Sequence, residues 1–147
     1  MNKKTGFIHL YTGDGKGMPY SEIEAINDFL PGISLRQYGL ECFIKNKPTK
    51  KDILAARFGL SEVLKIITSG GFDLVILDEA CIAVYYDLFT VHELISVIKA
   101  KPETLEVVIT GRYAPAELIE FADLVTEMKE VRHYYQSGVE ARKGIEY

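Results

Sequence analysis

The sequence predicts an α/β fold with a mostly parallel sheet, on three observations. Short apolar runs alternate with segments of helical periodicity along the chain. Leu74-Val75-Ile76-Leu77 and Val107-Val108-Ile109-Thr110 are apolar almost throughout, as strands covered on both faces are. Three strand ends carry glycine, acid or arginine, which suits loops gathered on one edge of a parallel sheet.

The elements follow in order. Phe7 to Tyr11 is a short β-rich run that ends at the glycine-rich stretch Thr12-Gly13-Asp14-Gly15-Lys16-Gly17. Pro19 suits a first helical position, and Ile23, Ile26, Phe29 and Leu30 recur at helical spacing up to Pro31-Gly32. Ile33 to Tyr38 reads as a weak strand, followed by an irregular segment from Gly39 to Pro48 that holds Phe43, Ile44 and lysines. Thr49-Lys50-Lys51-Asp52 has the form of a capping box, and Ile53, Ala56, Leu60, Val63, Leu64 and Ile67 then form one stripe of the longest helix.

That helix stops near Ser69-Gly70-Gly71, and the apolar strand after it terminates in Asp78-Glu79. Thr90-Val91-His92-Glu93 is a second capping box, opening a helix through Leu94, Ile95, Val97 and Ile98. After the strand at Val107 to Thr110, Pro115 can start a helix over Leu118 to Phe121, and Leu124-Val125 begins a last strand near Met128.

Composition narrows the function. The chain has 147 residues, 48% hydrophobic and 26% charged, which fits one compact domain over 1–147 without repeats or linkers. Seventeen basic against twenty-one acidic residues give a net charge of −4, so a broad basic face for nucleic acid is not expected. No apolar run approaches the ~18–20 residues of a membrane span, and Met1-Asn-Lys-Lys-Thr lacks the apolar core of a secretory signal, so a cytoplasmic protein is expected. Cys42 and Cys81 form no C-x-x-C pair, which points to reduced thiols and against a structural zinc site.

Three strand ends could carry chemistry. In Gly13-Asp14-Gly15-Lys16-Gly17 the glycines let backbone N–H groups surround phosphate oxygens, and Lys16 adds charge; a tight turn is the plain alternative. Asp78-Glu79 resembles the acidic strand end that holds Mg²⁺ in P-loop nucleotide enzymes, or it is simply a solvated helix start. Arg112, in Thr110-Gly111-Arg112, suits a phosphate, or a surface carboxylate. Their conjunction on one predicted sheet favours a nucleotide site. The loop still departs from a Walker A sequence, which ends in Gly-Lys-Ser/Thr, because Gly17 is followed by Met18 and Pro19.

The sequence resembles the P-loop type of corrinoid adenosyltransferase. The matching stretches are Tyr-Thr-Gly-Asp-Gly-Lys-Gly at 11–17, Phe-Asp-Leu-Val-Ile-Leu-Asp-Glu at 72–79, Glu-Val-Val-Ile-Thr-Gly-Arg at 106–112, Ala-Asp-Leu-Val-Thr-Glu-Met at 122–128 and Gly-Val-Glu-Ala-Arg-Lys-Gly-Ile-Glu-Tyr at 138–147. Members of this family continue the glycine loop with Lys-Thr-Thr, a helix and a second strand before a Pro-Tyr-Gly-Glu-like segment, which Pro19-Tyr20-Ser21-Glu22 resembles. Here that piece, on the order of 25–30 residues, is missing between Gly17 and Met18. Its true loss would uncover apolar faces and delete the phosphate-binding lysine, so packing favours an omission over a true loss. A real Gly17–Met18 bond sets the two Cα atoms ~3.8 Å apart, and an omission sets them far apart.

The resemblance implies a three-layer P-loop NTPase-like α/β domain and the transfer of a 5′-deoxyadenosyl group from ATP to cob(I)alamin, with triphosphate released. It implies Mg²⁺ as cofactor, cobalamin or cobinamide as acceptor, a homodimer and a flavoprotein reductant. Gly13, Asp14, Gly15, Lys16, Gly17 and Arg112 would bind ATP, Asp78 and Glu79 would serve the metal, and Phe43, Tyr85 and Tyr86 would line the corrinoid pocket, unless these aromatics merely pack. No residue acts as a catalytic acid or base on this reading. His9 and His92 are not assigned to metal, and His133 matches a basic-His pair of the family without an assigned role. Two other functions compete: a non-catalytic nucleotide- or corrinoid-binding protein with a degenerate P-loop, and a generic P-loop ATPase, against which the five collinear blocks weigh.

Overall fold

A computed structural model describes residues 4–9, 21–40, 44 and 47–142, and at 7, 9 and 21–23 the backbone alone. The elements are β1 (Thr5–His9), α1 (Ser21–Phe29), β2 (Ile33–Gln37), α2 (Lys50–Thr68), β3 (Leu74–Asp78), α3 (Ala80–Tyr85), α4 (Val91–Ile98), β4 (Glu106–Ile109) and α5 (Ala116–Phe121). A single turn of 3₁₀ helix at Tyr134–Ser137 follows. Among the described residues the sheet has four strands in the order β2-β1-β3-β4, every pair parallel. The expected α/β fold with a parallel sheet is what forms.

Local chemistry accounts for the helix starts. At Thr49 the side chain accepts from the Asp52 N–H while the Asp52 carboxylate accepts from the Thr49 N–H at 2.7 Å, a reciprocal box that opens α2. Thr90 and Glu93 repeat the arrangement at α4, with 2.7 Å and 3.1 Å hydrogen bonds. Pro115 stands just ahead of α5 and Leu118 is that helix's buried residue. From β1 to β2 the connection turns to one side of β1, while from β2 to β3 it passes to the other. Right-handed crossovers in opposite directions put α1 on the face opposite α2.

The core lies under the α2 face. Ala56, Leu60, Val63 and Ile67 of α2 share one buried cluster with Ile8 of β1, Val75 and Leu77 of β3, Leu94 and Ile98 of α4, and Phe89 and Leu105. Leu64, expected in the α2 stripe, is 39% exposed at its edge. Val75 and Leu77 are buried while Leu74 and Ile76 are half-buried, so β3 is covered fully on one face only. Phe29, at the end of α1, is 76% exposed and the following Leu30 46%, so this end of the stripe that the periodicity suggests is not buried.

Two boundaries differ from expectation. The first strand starts at Thr5 rather than Phe7, and residues 10 and 11 of the expected run lie outside the described residues; Lys4 and Asp73 pair at its start, where the Asp73 N–H donates to the Lys4 carbonyl at 2.9 Å and the Lys4 N–H donates to an Asp73 carboxylate oxygen at 2.8 Å. The last strand expected from Leu124 to Met128 does not form. Leu124 is 87% exposed and Met128 92%, and among the described residues the sheet ends at β4. Alternating apolar residues supply a strand's pattern, but a strand exists only through a neighbour's backbone, and this segment has none among the described residues.

Candidate functional site

The carboxyl ends of β1 and β3 are register neighbours, with His9 opposite Asp78. In the strand order β2-β1-β3-β4 the chain passes from β1 to one neighbour and reaches β3 on the other side, the kind of switch point at which α/β folds bind ligands. The glycine-rich stretch begins at Thr12, three residues after His9. Gly13, Asp14, Gly15, Lys16 and Gly17, and the Gly17–Met18 junction, lie outside the described residues, as does Phe43. Ile44, next to Phe43, is half-buried against the core.

Asp78 and Glu79 are held by the neighbouring strand end. The Thr110 hydroxyl donates to Oδ1 of Asp78 at 2.7 Å and accepts from the Glu79 N–H at 3.1 Å. The Thr110 N–H donates to the Leu77 carbonyl at 3.0 Å, and the Thr110 carbonyl accepts from the Cys81 N–H at 3.2 Å. One threonine thus ties the ends of β3 and β4 to the start of α3. Glu79 adopts the left-handed conformation, φ 55°, a costly backbone state for a residue with a side chain. A helix does follow the acidic pair, but the Glu79 side chain does not cap it, so a plain helix start does not account for the residue.

The same knot explains Gly111. Its φ is +128°, and a Cβ there would stand 2.9 Å from the Cys81 Cβ and 3.1 Å from the Cys81 nitrogen. No side chain fits between the β4 end and α3. Cys81 is buried, and burial first, then the Glu79 charge, pushes its thiol pKa above the ordinary value. A thiol held protonated is a packing group, not a nucleophile or metal ligand.

Beyond Gly111 the chain lays aromatic rings along the edge. Tyr85, the last residue of α3, stacks on Tyr113 with ring centroids 4.3 Å apart and planes at 28°, and Tyr86 meets Tyr85 edge-on at 5.3 Å. The Arg112 guanidinium lies 5.8 Å from the Tyr113 centroid. Arg112, Tyr85 and Tyr86 are therefore neighbours on the edge that also bears Asp78 and Glu79. Thr110 and Tyr113 were not singled out by sequence reasoning. A hydroxyl at the end of an apolar strand, directly before glycine, was the available signal for Thr110; for Tyr113 there was none.

The donor set suits a hard cation: the carboxylates of Asp78 and Glu79 stand at adjacent positions, Asp78 oriented by a hydroxyl. No group of three or more His, Cys, Asp or Glu residues is arranged to hold a metal among the described residues, so an all-protein metal cage is not what the site offers. A Mg²⁺ held by one or two carboxylates plus phosphate oxygens needs no such cage. His92 is exposed, and Nδ1 of His133 accepts from the Tyr135 N–H at 3.0 Å as a local cap. No helix among the described residues is long and apolar enough to cross a membrane.

Comparison with known proteins adds the family. Residues 16–147 match the profile of the ATP:corrinoid adenosyltransferase BtuR/CobO/CobP family. A corrinoid adenosyltransferase of Sinorhizobium sp is 39% identical over 98 residues, 66% of this chain and 46% of that protein. One from Escherichia coli K12 is 32% identical over 168 residues, covering 97% of this chain and 86% of the relative. One from Pseudomonas aeruginosa is 35% identical over 98 residues, 67% of this chain and 48% of the relative. Matched segments thus span about half the length of the Sinorhizobium and Pseudomonas proteins. The Escherichia coli alignment runs 168 positions against 97% of 147 residues, so about 25 of its positions have no counterpart here. By profile and by relatives, the chain belongs to the ATP:corrinoid adenosyltransferase family, a family of transferases.

Proposed function

We propose that this protein transfers the 5′-deoxyadenosyl group of ATP to the cobalt of a Co(I) corrinoid. The cobalt lone pair attacks C5′, the C5′–O bond breaks, and its electron pair leaves with triphosphate, so no proton need move. The supporting observation is the Asp78 carboxylate, oriented by Thr110 at 2.7 Å and standing beside the end of β1, from which the glycine stretch departs.

Asp78 and Glu79 would hold Mg²⁺ on the polyphosphate, and the ion would supply positive charge that makes triphosphate a better leaving group. The glycines from Gly13 to Gly17 and Lys16 would bind phosphate oxygens through amides and charge, with Arg112 on the nucleotide. Phe43, Tyr85 and Tyr86 would line the corrinoid pocket and keep water from the reacting cobalt and carbon. A homodimer, a flavoprotein electron donor and a cytoplasmic location complete the reading.

The test is to mix the full chain with MgATP and chemically reduced cob(I)alamin and follow the adenosylcobalamin spectrum and triphosphate release. Absence of both products rejects the reading. A second reading is favoured by the Gly17-Met18 sequence, where a P-loop would carry lysine and a hydroxyl: a nucleotide- or corrinoid-binding protein without turnover. Saturable binding of ATP or corrinoid with no adenosylated product establishes it.

A further inference from the structure

Tyr113 is held in place at some cost and given nothing to bury. Its backbone is left-handed, φ 63°, on a bulky residue, and its ring remains 59% exposed. Its stacking partner Tyr85 is 55% exposed. Core packing does not explain a strained aromatic that faces solvent, and such strain gathers where ligands bind. The position is specific. Tyr113 lies three residues after Thr110, which orients Asp78, and Tyr85 closes the six-residue helix that starts beside Glu79, ~9 Å along its axis.

We propose that Tyr85 and Tyr113 together form a platform that receives the corrinoid, an assignment that rests on the transfer reading above and adds Tyr113 to its binding residues. Tyr86, Tyr85, Tyr113 and Arg112 contact one another in succession, with separations of 5.3, 4.3 and 5.8 Å. Four planar groups in a row are more than one nucleobase covers. Because Tyr85 and Tyr113 each shield a face of the other, they present ring edges and hydroxyls rather than an open slot for a purine. A corrin macrocycle carries methyl groups and amide side chains around its rim. Apolar ring edges meet the methyls, and phenol hydroxyls and the Arg112 guanidinium meet the amide oxygens.

The chain contains nine tyrosines and no tryptophan, so tyrosine fluorescence reports binding of an absorbing corrinoid. The full chain is titrated with cob(II)alamin, and separately with MgATP by calorimetry, for the parent, Tyr113→Gly and Tyr113→Phe. Glycine relieves the positive φ, so an unfolding midpoint at or above the parent's shows an intact fold. The expected result is a roughly three- to tenfold weaker cob(II)alamin Kd for Tyr113→Gly, recovery of most of it in Tyr113→Phe, and an MgATP Kd within about twofold of the parent. No cob(II)alamin binding by the parent, an unchanged corrinoid Kd in Tyr113→Gly, or a loss confined to MgATP overturns the platform. A chain that binds cob(II)alamin through Tyr113 yet makes no adenosylated product overturns the transfer reading alone.

Discussion

Thr110 and Asp78 stand 32 residues apart in sequence and 2.7 Å apart in space, the hydroxyl of one donating to Oδ1 of the other. The same hydroxyl accepts from the Glu79 N–H, so a single side chain sets both the carboxylate and the strained backbone that follows it. Thr110→Val keeps the shape and removes both bonds, leaving a half-buried N–H and carboxylate oxygen without that partner. The expected loss is about 1–3 kcal/mol in urea unfolding, with weaker MgATP binding, and Thr110→Ser should restore both.

Asp78→Asn separates charge from geometry. The carboxamide oxygen can still accept from Thr110, so the unfolding midpoint should move little. Adenosyl transfer should fall roughly tenfold or more, because the leaving triphosphate loses its metal anchor, and added Mg²⁺ should recover part of the rate. Wild-type turnover in Asp78→Asn would remove this residue from the metal site.

Gly111→Ala tests the close approach. The new Cβ would meet the Cys81 Cβ at 2.9 Å at a φ of +128°, and backbone cannot swing aside as a flexible side chain can. A destabilisation of about 1–3 kcal/mol is expected, read as a lower thermal midpoint and as loss of MgATP affinity when the knot around Thr110 opens.

Glu93 supplies a pH dependence whose sign follows from its partners. Hydrogen bonds from the Thr90 N–H, then from its hydroxyl, hold the Glu93 carboxyl below its ordinary pKa. The folded state therefore favours the carboxylate. That contribution is complete above the ordinary carboxylate pKa and disappears as pH falls through the lowered folded value. The side chain is 41% exposed, so solvent screening keeps the effect to about 0.5–1 kcal/mol. Thermal midpoints from neutral to acid pH should fall less steeply in Glu93→Gln than in the parent.

Cys81 should resist alkylation near neutral pH. Burial and the neighbouring Glu79 charge keep its thiol protonated, and only the thiolate reacts. Iodoacetamide labelling followed by mass spectrometry should show little modification of Cys81 until denaturant opens the core. Rapid labelling of native protein would contradict its packing.

Much of the fold was legible because the relevant interactions are short in sequence. The boxes at Thr49–Asp52 and Thr90–Glu93 close within three residues, and both form as their spacing predicts. The stripe at Ala56, Leu60, Val63 and Ile67 is one helical face, and burial follows it. The same logic misread two places. Leu124 to Met128 has strand composition but no partner among the described residues, and composition carries no record of partners. Phe29 continues a helical stripe yet stays exposed, because periodicity marks one face of a helix and does not say what covers it.

The site divides along the same line. That acid follows an apolar strand at Asp78, and that glycines follow another, is written in the order of residues, since strands must end in groups that water can solvate. That β1 lies beside β3, that Thr110 reaches Asp78, and that Tyr113 leaves its preferred backbone region to stack on Tyr85 were decided only by the tertiary structure. Those contacts depend on strand order and on the register between segments some thirty residues apart, which no local periodicity encodes.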